Sequence, residues 1–406
     1  MSTSILYHGF GVMGRGIRYV HTRFESGTTK FRIEQDPTTL QCSGCGSRSV
    51  KKKGAIRRQW LTLPIGLRPT LIEWFVQRLR CLTCGVVRQA AIPFADPGRR
   101  YTRAFERYVL ELSRHMTTLD VARHLGVSWH TVKEIRKRDL EKRFSRPRLK
   151  GLKRIAIDEI SVGRGHRYLT VVLDLRSGAV VFVGEGKGAD ALEPFWKRLR
   201  SSRARIEAVA MDMSQAYISA VTANLPHATI VFDHFHVIKL MNDKLTQLRR
   251  DLYREAVDLL QKQVLKGARW LLLKNPENLQ ADRNERTRLE EALSLNKPLA
   301  VAYYMKEDLR LLWSLPDKAA ADSHLRDWIG RAGKSGVRIL KDMAKTLMTH
   351  KAGILAYYDH RISTGPLEGT NNKIKTLQRQ AYGFRDQRFF RLRIYALHTT
   401  RYALVG

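Results

Sequence analysis

Three acids and four cysteines are the residues in this 406-residue chain whose type and spacing can do chemistry. Asp158 ends the run Arg154-Ile155-Ala156-Ile157, Asp212 follows the apolar stretch Ile206 to Met211, and Glu368 opens a helical segment far downstream. Carboxylates brought side by side repel unless divalent cations sit between them, so their convergence predicts a hard, oxygen-seeking metal: two magnesium ions, or manganese. Taken singly, each acid reads more readily as a surface salt bridge or a turn residue; it is their joint placement that points to a site. The cysteines form two Cys-x-x-Cys-Gly pairs, Cys42 with Cys45 and Cys81 with Cys84. Two residues between thiols let one tight turn offer both to a single ion, which predicts a closed, structural tetrahedral zinc. Disulfides or a redox pair are the competing reading, and the lack of a secretory signal weighs against them.

The elements that must position the acids follow from pattern. Arg154 to Ile160, Tyr168 to Leu175 and Ala179 to Val183 are strand-like with short turns between them, implying an antiparallel meander. A helix over 189–200, a strand ending at Asp212, a helix from Gln215 and a strand Thr229 to Phe232 follow. That order is the order of a ribonuclease H-like fold, in which the first and fourth strands are neighbours and Asp158 and Asp212 stand side by side. The third acid belongs to a helix that Ser363 or Thr364 caps and Pro366 starts, with Leu367, Ile374, Leu377 and Ala381 as its apolar seam. Glu368, Asn372, Lys375 and Arg379 share its polar face, suited to a metal and a phosphate backbone, or to solvent. Asp233 and His236, directly after the last strand, steady the metal site, position a DNA end, or cap the next helix through Asp233. Glu159 alternates to the other strand face and Asp174 starts a hairpin turn, so neither joins the set.

The remaining segments supply recognition. Thr118 to Ile135 reads as a helix-turn-helix: Gly126 makes the turn, Ser128 caps the second helix, and Val132 and Ile135 face inward. Trp129, His130, Thr131, Lys133 and Arg136 are then expected to point toward a major groove, an ordinary helical hairpin being the plainer alternative. Between Phe235 and Glu368 the chain is almost wholly helical, over 237–273, 284–295, 299–313, 317–332 and 337–358. Its aromatics Trp270, Tyr303, Tyr304, Trp313 and Trp328 read first as core and second as base-stacking platforms. A Gly9–Gly14 run has the letters of a dinucleotide loop but precedes a strand-like stretch, and is rejected. The fold class is therefore α/β multidomain. A four-cysteine zinc-ribbon-like module (1–95) and a helix-turn-helix domain with basic linker (96–150) precede the ribonuclease H-like core, a mixed five-stranded sheet with helices. That core (151–240 and 359–406) is interrupted by a helical insertion (241–358).

The formal charge of +35, from 73 Lys and Arg against 38 Asp and Glu, is spread along the chain, which points to a long polyanion held against several domains. No amphipathic or lipidated anchor and no apolar run of spanning length stands out, so the expected partner is DNA rather than a membrane, and the expected location is cytoplasmic, on the nucleoid.

The ordered landmarks resemble bacterial insertion-sequence transposases of the ISL3 type, within the larger DDE group. They are Leu6-Tyr7-His8-Gly9-Phe10, the paired cysteine knuckles, Ile157-Asp158-Glu159, Ala210 to Ser214, Phe232 to His236, Glu368 to Lys375, and Arg379 with Tyr382-Gly383-Phe384-Arg385. The resemblance implies Asp158, Asp212 and Glu368 as the catalytic acids and Asp233 with His236 as an accessory pair. It implies a DNA transposase that binds terminal inverted repeats, cuts the ends in a magnesium-dependent reaction and transfers them to target DNA, as a homodimer or higher oligomer. A DNA-binding regulator whose ribonuclease H-like domain no longer cuts is the alternative from another class, and a structure-selective nuclease is a third.

Overall fold

The computed structural model describes residues 8–12, 14–163 and 165–399. Leu6 and Tyr7 of the opening motif, Met13, and both extremes of the expected domain series lie outside them. The chain divides into two compact units, Met1–Ser145 with Thr399–Gly406, and Arg146–His398.

In the first unit β1 (Ile17–Glu25) and β2 (Thr28–Gln35) form a hairpin, and β3 (Val50–Ile65) and β4 (Arg68–Cys81) form a longer one, with short β5 (Val87–Gln89) beside β4. The sheet order is β1-β2-β4-β3, with β2 parallel to β4. Its inner face alternates in period two, so that Phe31, Ile33, Trp60, Ile72, Trp74 and Val76 fill one core with Phe10 and Phe94. The helices α1 (Arg103–Leu112), α2 (Thr118–Leu125) and α3 (Trp129–Phe144) bury Phe105, Val109, Val121, Ala122, Val132 and Ile135 as a second core. Gly126 takes the left-handed turn at φ 62°, and the Ser128 hydroxyl accepts the Thr131 amide at 3.2 Å, as the helix-turn-helix pattern predicts.

In the second unit β6 (Arg154–Gly163), β7 (Arg167–Asp174) and β8 (Val180–Glu185) are an antiparallel meander. After α4 (Glu193–Ser202), β9 (Ala208–Met211), α5 (Gln215–Asn224) and β10 (Thr229–Phe232) complete a five-stranded sheet. The order β10-β9-β6-β7-β8, with β6, β9 and β10 parallel, makes this a ribonuclease H-like core. The helices α6 (His234–Glu255), α7 (Leu259–Gly267), α8 (Glu285–Ser294), α9 (Lys297–Arg310), α10 (Lys318–Lys334) and α11 (Arg338–Leu355) follow. Their apolar faces continue the core on one side of the sheet. On its other side pack α12 (Gly365–Gln380) and α13 (Gln387–Tyr395).

Two expectations are corrected here. The helix expected over 237–273 is interrupted at Ala256 to Asp258, where Asp258 turns extended and its carboxylate caps the new helix by accepting the Gln261 amide at 3.0 Å. The seam of α12 stops at Leu377, because the helix ends at Gln380 and leaves Ala381 exposed. The insertion aromatics divide: Tyr303 and Trp328 are core, the latter donating to the Met305 carbonyl at 2.8 Å, while Trp270 and Tyr304 are exposed.

Candidate active site

Parallel pairing of β6 with β9 registers Ala156 opposite Ala210. Asp158, within β6, and Asp212, just past the end of β9, each stand two residues beyond that pair on neighbouring strands about 4.8 Å apart. Asp233 follows the Phe232–Met211 pair of β10 and β9, and its amide bonds the Met211 carbonyl at 3.1 Å. Three consecutive parallel strands thus carry acids along one line, Asp158 within β6 and Asp212 and Asp233 directly after β9 and β10.

Each acid is oriented by a different donor. Asp158 accepts the Glu159 amide at 2.8 Å and the Asn371 side-chain amide at 2.8 Å. Asp212 accepts the Ser214 amide at 3.0 Å. Asp233 is buried; one oxygen accepts the Thr364 amide at 3.1 Å and the other lies 3.3 Å from His236 Nδ1. Burial chiefly pushes the Asp158 carboxyl above the usual range, with Asp212 adding to it against the Glu159 amide and His236. Burial alone would lower His236, but Asp233, Asp158 and Asp212 together raise it. An acid held uncomfortably anionic beside a second acid is the donor chemistry a hard cation fits.

The third acid arrives on α12. Its first turn is fixed by Asp233 rather than by Ser363 or Thr364, neither of which caps the helix with a hydrogen bond to its first turns beyond a 3.3 Å contact from Ser363 to the Gly365 amide. One turn after Glu368, Asn371 fastens the helix to Asp158. Glu368, Asn372, Lys375 and Arg379 all lie on the exposed face. Among the described residues the set of metal donors gathered within 4.8 Å is the four cysteines, so the three acids are not drawn together that tightly.

Two participants were not apparent in the sequence. Asn371 is 6% exposed, and its Oδ1 has no partner among the described residues. Its signal was an amide in the buried seam, four residues after Leu367 and three before Ile374. Glu159, set aside on strand alternation, is half-buried and raised first by burial and then by Asp212 and Asp158. Tyr217, whose hydroxyl lies 2.9 Å from that of Thr170, works the other way and favours the charged form of Glu159. Only the tertiary placement of α5 reveals it.

At the cysteines, Val50 pairs with Cys81, so the β3–β4 hairpin sets one knuckle against the other. The Sγ atoms of Cys42 and Cys84 are 3.8 Å apart and those of Cys45 and Cys81 3.5 Å, against an edge of about 3.8 Å for a zinc–thiolate tetrahedron. Gly46 and Gly85 take φ of 73° and 69°, and the amides of Gly44 and Cys84 point at sulfur. The backbone amide of Cys84, ahead of other contacts, brings the Cys81 thiol down to about 6. The four residues fit a structural zinc.

On the helix-turn-helix, Trp129 and His130 are exposed and Thr131 and Lys133 partly so, but Arg136 is not an outward residue. Standing four residues after Val132, it lies on the buried stripe and donates to the Thr118 hydroxyl at 2.5 Å.

A zinc ribbon, a helix-turn-helix and a ribonuclease H-like core in one chain are the parts of a DNA transposase. A DDE-type profile of ISL3 described as "Transposase" matches residues 155–394. A "Helix-turn-helix domain of transposase family ISL3" matches 90–138, and a "zinc-finger of transposase IS204/IS1001/IS1096/IS1165" matches 39–84. The chain is 33% identical over 398 residues to the transposase for insertion sequence element IS1001 of Bordetella parapertussis, covering 95% of this chain and 96% of that one. It is 32% identical to the transposase for insertion sequence element IS1557 of Mycobacterium tuberculosis, covering 85% and 83%. The solved Drosophila P element transposase strand transfer complex aligns over 60% of this chain and 76% of its own at 13% identity and a TM-score of 0.32, too loose a match to carry an argument. The chain belongs to the ISL3 family of transposases. Among the described residues no helix is long and apolar enough to cross a membrane.

Proposed function

We propose that this transposase binds the terminal inverted repeats of its insertion sequence, hydrolyses DNA at the ends and joins the freed 3′ hydroxyls to target DNA. Asp158, Asp212 and Glu368 are the catalytic acids. The observation that carries the reading is that the helix bearing Glu368 is fastened to Asp158 by Asn371 and to the adjoining strand end by Asp233. Magnesium or manganese held by these three acids would activate the attacking oxygen and stabilise the leaving one. In the first step water adds to the phosphorus as the 3′ oxygen leaves; in the second that 3′ hydroxyl displaces a target-strand 3′ oxygen. Asn371 and the Glu159 amide hold the Asp158 carboxylate in one orientation. Asp233 and His236 act as accessory residues that fix the start of α12. Asn372, Lys375 and Arg379, on the exposed side of that helix, meet the DNA backbone.

Of the helix-turn-helix, Trp129, His130, Thr131 and Lys133 are assigned to end recognition; Arg136 keeps a packing role. The division 1–95, 96–150, 151–240, 241–358 and 359–406 is taken as the functional partition. Synapsis of two ends needs at least a homodimer, working in the cytoplasm on the nucleoid. Alanine at Asp158, Asp212 or Glu368 is expected to lower magnesium-dependent end cleavage on the order of a thousandfold while end binding stays within about twofold. Cleavage that survives all three substitutions overturns the assignment. A wild-type protein that binds ends and never cuts them is instead the regulator.

A further inference from the structure

The outer face of the β1-β2-β4-β3 sheet carries a built cluster of charge that neither the zinc site nor the helix-turn-helix uses. Strand register places His21, Arg32, Glu73 and Gln59 in one row across all four strands. Glu73, its side chain 10% exposed, is a buried acid among side chains that are half-buried or exposed. It accepts from Arg57 Nε at 2.6 Å, Gln59 at 2.9 Å and Arg32 at 3.2 Å. The Arg32 guanidinium carbon also stands over the Phe75 ring, 3.8 Å from its centroid. An isolated carboxylate there would be destabilising; surrounded by these donors it fixes the planes of two guanidiniums. Arg32 is spent on Glu73 and Phe75, with 24% of its side chain exposed, whereas Arg57 keeps 56% exposed and retains donors beyond those that Glu73 takes. Arg23 and Lys30 extend the patch by one row, and Glu25 pairs with Lys30. Four cations against two acids leave about two positive charges for an outside anion.

The patch is rigidly joined to the recognition helices. The Leu61 amide bonds the Arg100 carbonyl and the Leu61 carbonyl the Thr102 amide, both at 2.9 Å, and Leu61 packs into the α1–α3 core. The same row that holds Arg23 and Lys30 ends at Leu61.

We infer that this sheet face is a second, sequence-independent DNA contact, in which Arg57 and Arg23 grip two phosphates of the duplex whose bases the helix-turn-helix reads, with Glu73 as the positioning residue. The inference rests on the DNA-end reading above. Phosphate contacts position a duplex without reading it, so loss of these two should weaken all sequences alike.

The test is equilibrium binding of the full-length protein, between 50 and 200 mM salt, to a duplex carrying the flanking inverted repeat and to one of unrelated sequence. For the Arg23→Ala, Arg57→Ala double variant, the slope of log affinity against log salt should fall by about 1.8, so that affinity drops about tenfold less across that range than in wild type. The preference for the repeat should be unchanged. Arg23→Glu alone, which leaves Glu73 and its partners intact, should weaken both duplexes and guards against misfolding; lysine at both positions should restore the slope. Retained zinc and an unchanged melting curve show that the fold is intact. If both variants bind with wild-type affinity and slope, the cluster is only a structural ion network and the inference is overturned. A changed preference for the repeat overturns it too, because the face would then be reading bases. A wild-type protein that binds neither duplex removes the end-binding reading itself.

Discussion

Four thiols at the zinc ribbon stand within 4.8 Å of one another in turns that the backbone itself shapes, whereas the three acids of the core come from separate elements and are not gathered to that distance. Two Cys-x-x-Cys turns and one hairpin finish the first site from local sequence. The second needs two parallel strands, a helix from the far end of the chain, and two buried side chains, Asn371 and Asp233, to hold that helix. A structural site can be closed because nothing must enter it. The acid edge, which on the proposed function must admit DNA and cations, has Glu368 on the exposed side of a docked helix.

The contrast is broken most forcefully by removing the local site. Chelation, or Cys81→Ser, should cost the first unit a metal worth about 10 kcal/mol and abolish duplex binding. Hydrogen exchange should then show β3 to β5 losing protection while β6 to β10 keep theirs. Equal loss in both sheets would mean that the zinc site does more than hold its own unit. A smaller effect is expected where the distributed site is clamped. Asp233→Ala should remove about 1–3 kcal/mol of local stability and slow cleavage roughly ten- to a hundredfold, with end affinity unchanged. Faster exchange at the start of α12 is the direct readout. Asp233→Asn, which can still accept the Thr364 amide, should lie between that variant and wild type.

The smallest effect has the opposite sign. Asp158→Asn should kill cleavage yet raise the melting temperature of the metal-free protein by about 2 °C at neutral pH, since it removes an anion that burial and Asp212 disfavour. Because the folded carboxyl is raised, wild type is penalised only once pH exceeds its unfolded value. The gain should therefore vanish as pH falls below the ordinary carboxylate range. A melting temperature that falls at neutral pH would show the carboxylate to be better satisfied than its surroundings indicate.

Local pattern carried a large part of this architecture. The cysteine spacing, the Gly126 turn with its Ser128 cap, and the three-strand meander are short-range features, and each is legible in a window of a few residues. The ribonuclease H-like order followed because strand and helix periods alternate cleanly from Arg154 to Phe232. What could not be read depended on partners distant in sequence. Arg136 has the period of the buried stripe, but its charge sent it outward, and only the Thr118 hydroxyl explains its burial. The long helix broke at Ala256 because Asp258 offers a better cap than continuation does. Glu159 needed Tyr217 from another element, and the Glu73 cluster needed four strands in register.

The bond between Asp233 and the Thr364 amide spans 131 residues and is itself buried. The polypeptide therefore leaves the sheet and is fastened back to it by a clasp, with α11 packed on β10 just before it. Because the entropy of closing a loop grows only logarithmically, doubling the length of such an excursion adds about 0.6 kcal/mol. As long as α6 and α11 keep their seats on the sheet, the stretch between them can be lengthened or trimmed while the acid beyond the clasp keeps its station.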